Sequence, residues 1–294
     1  CAAVAAMSEN SVFFRAFAVC HGSAAPILPE GVCPVFAGAK DSGAPASALS
    51  DASGENISHK NARYNELTAV YWLWEIGSPE YVCVEQYRRF FAPQGEESYY
   101  EAESLGGRER ALCRFLPTDA ERLLAGRDFL APCPVKCCSV RAQYEAAHGT
   151  DDLRLAEEII ADVAPEYSET AKRYFDGGVS YLFNMFVFDR DTFFRYAEWI
   201  FTLLSEFEKR KPDGGRLFVS ERLTGVFFAK LREEGKKCRH LPVLFVSGRT
   251  SLRECIASLF RRGASVKERL KPLAVKLVPR RLWLARKRRN FVNP

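Results

Sequence analysis

The stretch DASGENISHKNARYNELTAVYWLWEIGSPEYVCVEQYRRFF, residues 51–91, carries three signals in a row. Asp51, Ser53, Gly54 and Asn56 form a polar segment that reads as loop. Leu67, Val70, Tyr71 and Trp74 then fall on one face at the i, i+3, i+4, i+7 spacing, which predicts a helix over 61–76. Cap-type residues at 58–61 precede it. Tyr81-Val-Cys-Val84 is apolar and β-prone, and ends in Glu85-Gln86-Tyr87-Arg88-Arg89. A strand with charged residues at its carboxyl end, next to a helix, belongs to an α/β layered fold.

The same alternation continues outward. Residues 12–19 (VFFRAFAV) read as a buried strand that stops at Cys20-His21-Gly22, and 32–36 as a second. Open α/β sheets place ligands at such strand ends. Short strands are expected at 129–132 and 243–246, and helices at 151–162, 165–174 and 219–231. Residues 181–188 (YLFNMFVF) read as a strand with one embedded amide, Asn184. Residues 191–210 read as an amphipathic helix burying Phe194, Trp199, Phe201, Leu204 and Phe207.

Composition narrows the class. With 47% hydrophobic and 27% charged residues in 294, the chain can bury a sizeable core. The net charge of +5 is uneven. Residues 251–294 hold 13 Lys/Arg against 2 Asp/Glu, so this tail carries +11 and the body −6. No apolar run of transmembrane length occurs. The ten cysteines form no CxxC pair and have no His at zinc spacing, so they read as reduced structural thiols. The opening Cys1-Ala-Ala-Val-Ala-Ala6 is too short for a signal peptide.

Four constellations have the right groups for chemistry. Asn61, Asn65 and Thr68 share a face beside Tyr64 and Trp72, and amides with rings suit a sugar or a base; a capped helix with a core Tyr and Trp needs the same residues. Arg88 and Arg89 offer forks for phosphate oxygens, although neighbours on a strand point opposite ways. Tyr144 and His148 share a helical face next to Asp151 and Asp152, and His148 is either an acid–base group or a polar surface residue. Asn184 needs partners if buried, and Glu221-Arg222 opens a later helix, as a catalytic carboxylate or as an ion-paired cap. No GxGxxG, Walker loop, HExxH or GxSxG is present, and no Asp-x-Asp metal motif of the usual sugar-transferase kind is read.

In order along the chain, these blocks resemble a family of bacterial capsular and exopolysaccharide glycosyltransferases long catalogued as a domain of unknown function. Phe17-Ala-Val-Cys-His21 and Pro34-Val-Phe-Ala-Gly-Ala39 resemble its opening strand and "VGA" element. Residues 51–58 resemble "D…GDNIS", 61–74 "N…Y.ELTA.YW.W", and 81–91 "Y.GL.HYRRYF". Tyr144 to Asp152, Pro165-Glu-Tyr167, Asn184-Met-Phe-Val187, 193–204 and Ser220-Glu-Arg-Leu223 resemble further blocks. Glu55 stands where the family has Asp, Cys83 where it has Gly, Gln86 where it has His, and Gly22-Ser23 where it has Lys. An amide can hydrogen-bond as His does, but it carries no charge and is no base.

The resemblance implies a GT-A-like, Rossmann-like mixed sheet flanked by helices over residues 8–250, with 251–294 as a basic, partly helical extension. It implies transfer of a hexose such as galactose from a nucleotide sugar, a UDP-sugar first, to a growing or lipid-linked glycan; whether manganese or magnesium takes part stays open. His21, Asp51, Glu55, Asn56, Gln86, Tyr87, Arg88 and Arg89 are the expected donor-binding residues. Asn61, Tyr64, Glu66, Thr68, Asn184 and Arg222 are expected at the sugar and acceptor, and Glu221 and His148 in catalysis. The tail suits the anionic inner face of a cytoplasmic membrane, where each clustered Lys or Arg adds about 1 kcal/mol. Two rivals remain: a non-catalytic glycan- or nucleotide-binding member of the fold, and a nucleic-acid binder using the tail, which leaves residues 51–91 unexplained.

Overall fold

The computed structural model describes residues 13–22, 26–45 and 48–247. The basic tail and the opening segment lie outside the described residues.

The first strand, β1 (Phe14–Cys20), is apolar along nearly its whole length because both its faces are covered. Phe17 and Val19 point into one core, Ala16, Ala18 and Cys20 into another. Strand β2 (Val32–Phe36) lies parallel to it on one side and β4 (Tyr81–Gln86) on the other. A two-residue β3 (Leu49–Ser50) extends the β2 edge in parallel. Beyond β4 come β10 (Phe186–Asp189), antiparallel to both its neighbours, β7 (Phe129–Pro132) and β11 (Cys238–Leu241). The order is thus β11-β7-β10-β4-β1-β2-β3. A branch leaves β4 through β5 (Arg89–Phe91), which pairs with β12 (Val243–Val246), and β12 pairs with β6 (Tyr99–Ala102). A separate ribbon joins β8 (Val135–Lys136) to β9 (Val179–Ser180).

Helices cover both faces. A single turn, α1 (Ala39–Ser42), follows β2. The larger core holds α3 (Leu67–Glu75), α6 (Val140–His148), α7 (Asp151–Val163), α8 (Ser168–Asp176), α9 (Arg190–Arg210) and α10 (Ser220–Glu233). On α9, Phe193, Tyr196, Ala197, Ile200, Leu204 and Phe207 recur at three- and four-residue steps and are buried. The burial stripe runs through Phe193 rather than Phe194, which stays exposed. The second core, around Phe14, Phe36, Phe90, Phe91 and Phe115, is closed by α5 (Pro117–Leu124), with α4 (Gly107–Leu112) at its margin.

Two expectations need correction, and both corrections matter for the site. The helix expected over 61–76 is broken. Residues 61–64 form α2 (Asn61–Tyr64), Asn65 takes a left-handed φ of 50°, and α3 starts afresh. The corner is tied by Asn61 Nδ2, which donates to the Asn65 carbonyl at 2.7 Å and to Thr68 Oγ1 at 3.0 Å. The strand expected over 181–188 begins only at Phe186, because Phe183 (φ 83°) and Asn184 (φ 47°) turn the chain before it. Apolar character alone does not separate a strand from a buried turn.

Candidate active-site cleft

The carboxyl ends of β1 and β4 lie side by side, with Val19 opposite Gln86. A cleft of about 240 Å³ opens there. Its walls come from five places: Val19 near the end of β1 and His21 beyond it; Asn65 and Glu66 at the α2–α3 corner; Gln86, Tyr87 and Arg89 from β4, β5 and the turn between them; Arg216, Leu217 and Phe218 from the α9–α10 loop; and Ser220 and Glu221 at the start of α10. This is where an open sheet with parallel strands is expected to bind a ligand.

Glu66 is fixed by the break in the helix. Placed just ahead of α3, its Oε1 accepts from Asn184 Nδ2 at 2.9 Å and from Gln86 Nε2 at 3.4 Å. Burial, then the neighbouring Glu221 carboxylate, push its proton affinity above the ordinary carboxyl range, while the Asn184 amide pulls it down. Asn184 is itself saturated. Its Nδ2 also donates to Ser220 Oγ at 3.0 Å, and its Oδ1 accepts from Thr224 Oγ1 at 2.7 Å, which meets Tyr196 Oη at 2.8 Å. One polar chain therefore runs from the core to the cleft, and the left-handed backbone at Asn184 aims the amide into it.

Gln86 also donates to the Phe183 carbonyl and accepts from Arg89 Nη1 at 2.6 Å. The Arg89 guanidinium lies 4.7 Å from the centre of the Phe183 ring and 5.4 Å from that of Phe245. On the far wall Glu221 meets Arg222 Nη1 at 3.1 Å, and buried Arg222 reaches on to Gln143 and over the Tyr144 ring. At the rim, half-exposed Phe218 stacks on His148 with centroids 4.6 Å apart, and exposed Tyr87 stands edge-on to His21 at 5.8 Å. Burial lowers the proton affinity of both imidazoles; the Arg222 charge adds to it at His148.

Other expected site residues are spent elsewhere. Asp51 is fully buried and accepts from the Gly38 and Ala39 backbone N–H groups at 2.7 and 3.0 Å and from Ser58 Oγ at 2.6 Å. It anchors the loop after β2 and does not line the cleft. Gly38 has φ 65°, and a Cβ there would lie 2.7 Å from the Asn61 side chain, so a glycine is needed where that corner packs. Asn56 bonds the Gly54 carbonyl and the Ser58 N–H, and Glu55 is exposed. Tyr64 is buried with its hydroxyl on Glu208, and Trp72 is core with its Nε1 on Ser53 Oγ. Arg88 Nε donates to the Val246 carbonyl at 2.9 Å, and its Nη2 to that of Ser247. The adjacent arginines have parted: Arg89 lines the cleft and Arg88 secures β12.

Among the described residues no three His, Cys, Asp or Glu side chains group as metal ligands. Asp189-Arg190-Asp191 does have Asp-x-Asp spacing, which the sequence reading passed over. Asp189 there caps α9 through the Thr192 N–H and hydroxyl, and pairs with Tyr81 at the end of the sheet away from the cleft. Sequence reasoning also missed Arg216 and Phe218, because Lys211-Pro-Asp-Gly-Gly215 reads only as a break between helices.

Sheet order, the reversed strand β10 between β7 and β4 and the cleft at the strand ends define a GT-A-like α/β fold. The chain belongs to the family described as a domain of unknown function, DUF4422, whose model matches residues 15–232. Among solved structures it is similar to the apo form of WbbM, a bifunctional glycosyltransferase, with a TM-score of 0.72 and 26% identity. That match covers 81% of this chain and 46% of that one, so the chain spans less than half of the protein it resembles. No curated protein matches significantly.

Proposed function

We propose that this chain is a glycosyltransferase that moves a hexose from a nucleotide sugar to a growing or lipid-linked glycan of the capsular or exopolysaccharide kind. The observation that carries the reading is the presence, in one cleft at the carboxyl ends of β1 and β4, of two carboxylates, Glu66 and Glu221, and two guanidiniums, Arg89 and Arg216. The likeness to a bifunctional glycosyltransferase supports it.

In this reading the bond between the anomeric carbon and the donor phosphate breaks, and its electron pair leaves on the phosphate. Arg89 faces that growing charge, in a site where fixed positive groups are more effective than in water. An acceptor hydroxyl forms the new bond to the anomeric carbon, and its proton passes to Glu221. Glu66, pinned by Asn184 and Gln86, orients the sugar through its carboxyl group. Tyr87 and Phe218 offer apolar ring faces at the rim for the sugar or acceptor. Among the described residues no helix is long and apolar enough to cross a membrane. Contact with an anionic membrane is assigned to the basic residues of 251–294.

Calorimetry with UDP-, GDP- and CMP-sugars, with and without manganese, tests the reading. Binding of at least one nucleotide sugar, followed by acceptor-dependent release of the nucleoside phosphate, is the expected result. Absence of binding to every donor would refute it.

A further inference from the structure

The α9–α10 loop holds a cation that none of the family-like blocks contains. Residues 211–219 are fastened at both ends. Arg63 donates from Nη1 and Nη2 to the Pro212 and Lys211 carbonyls, at 2.7 and 2.5 Å, and its own carbonyl accepts the Leu217 N–H at 2.9 Å. Lys211 Nζ pairs with Asp152 Oδ1 at 2.6 Å. A Cβ on Gly214 would lie 3.2 Å from Arg63 Nη2, so the glycine leaves room for the guanidinium that grips the loop. Leu217 and Val219 are buried, and the residues between and before them, Phe218 and Arg216, are exposed and line the cleft.

Arg216 is therefore delivered to the cleft by a pinned loop, and it forms no ion pair among the described residues. Its charge is felt at His21, whose proton affinity is lowered chiefly by burial and further by Arg216. Arg89, on another wall, also lacks a carboxylate within ion-pair distance among the described residues. Arg88, by contrast, has committed its guanidinium to carbonyl groups. Two unpaired guanidiniums on separate elements of one small cleft fit a ligand that carries adjacent negative charges. Guanidinium forks match phosphate oxygens in both geometry and charge.

We infer that Arg216, together with Arg89, forms a pyrophosphate subsite that holds the nucleoside diphosphate part of the donor and of the released product. This rests on the transferase reading for the identity of the ligand, but the anion subsite itself does not depend on it. Arg216 is a binding residue, and the Arg63 clamp positions it.

Titration calorimetry on the full chain tests this with inorganic pyrophosphate, UDP, UMP and uridine at low and moderate salt. Arg216→Ala is expected to weaken pyrophosphate and UDP about 10- to 100-fold, as for loss of a charge-assisted contact. UMP should be weakened less, and uridine not at all. Arg216→Lys should recover part of the loss, and Arg88→Ala should leave UDP affinity unchanged. Because Arg216 is exposed, the thermal midpoint of R216A should match wild type. Equal affinity of R216A and wild type for UDP and pyrophosphate overturns the subsite and leaves the transferase reading standing. Pyrophosphate binding that is lost in R216A, in a protein that binds no nucleotide sugar, upholds the subsite and overturns the transferase. A wild type that binds neither pyrophosphate nor any nucleotide overturns both.

Discussion

The loop at 51–58 and the cleft wall at 65–89 are built from the same kinds of residue: carboxylates, amides and hydroxyls beside aromatics. They are used in opposite ways. In the loop, Asp51 spends both oxygens on two backbone N–H groups and a serine. In the wall, Glu66 and Arg89 take neutral partners from within the protein and keep facing a cavity. A polar residue whose bonds close on its own scaffold supports shape. One that makes no direct ion pair and borders a cavity is available to a ligand.

Substitutions can break that contrast or sharpen it. The largest effect is expected from Glu221→Gln, which keeps the side-chain shape and removes the base: glycosyl transfer should fall about 10²- to 10⁴-fold, and the urea midpoint should fall as well, because buried Arg222 loses its counter-charge. Steady-state rates read beside a denaturation curve check both halves. Next is Asp51→Ala, which strands two buried N–H donors and a hydroxyl and should cost about 3–5 kcal/mol of stability. At a temperature where the variant remains folded, its UDP affinity should lie within about twofold of wild type. A large loss of affinity with little loss of stability would move Asp51 into the binding wall.

A third test uses pH. Glu85 is fully buried on β4, its Oε1 accepts the Phe91 N–H at 2.9 Å, and its other oxygen has no partner among the described residues. Burial pushes its carboxyl up to about 8, so the folded chain keeps the proton that the unfolded chain releases near the ordinary value of 4.5. The folded state thus binds more protons between these values, and stability falls as pH rises through that window, by about 1.4 kcal/mol per unit. Glu85→Gln should remove this slope, as chemical denaturation at pH 5, 6, 7 and 8 would reveal. The smallest effect is expected from Arg88→Ala: about 1–2 kcal/mol of stability lost with two carbonyl contacts, and donor affinity unchanged. A weakened donor would return Arg88 to the role its neighbour holds.

Periodicity made the framework legible. Strands β1, β2, β4, β7 and β12 and helices α7, α9 and α10 follow from apolar runs and helical spacing near their observed bounds. Strands β5, β6 and β11 did not, since Arg89-Phe-Phe91, Tyr99-Tyr-Glu-Ala102 and Cys238-Arg-His-Leu241 are short and mixed, and only their partners make them strands. Within the cleft, Glu66, Gln86, Tyr87, Arg89, His21 and Glu221 were all named from the sequence. Which of Arg88 and Arg89 faces the cavity was not, because alternation separates two neighbours without saying which way the first one points. Arg216 was hidden for a different reason. Its position depends on Arg63, which grips Pro212 across a separation of 149 residues, and local pattern carries nothing over that distance.

The line of hydroxyls and amides from Tyr196 through Thr224 and Asn184 to Glu66 has a practical side for anyone redesigning this protein. It makes acidity in the cleft an inherited property of the core. A well-meant stabilising swap such as Thr224→Val would leave the Asn184 carbonyl oxygen without that donor and retune Glu66 from two hydrogen bonds away. Conversely, a screen for altered pH optimum should find hits among residues that never see solvent, and Tyr196 and Thr224 are the places to start looking.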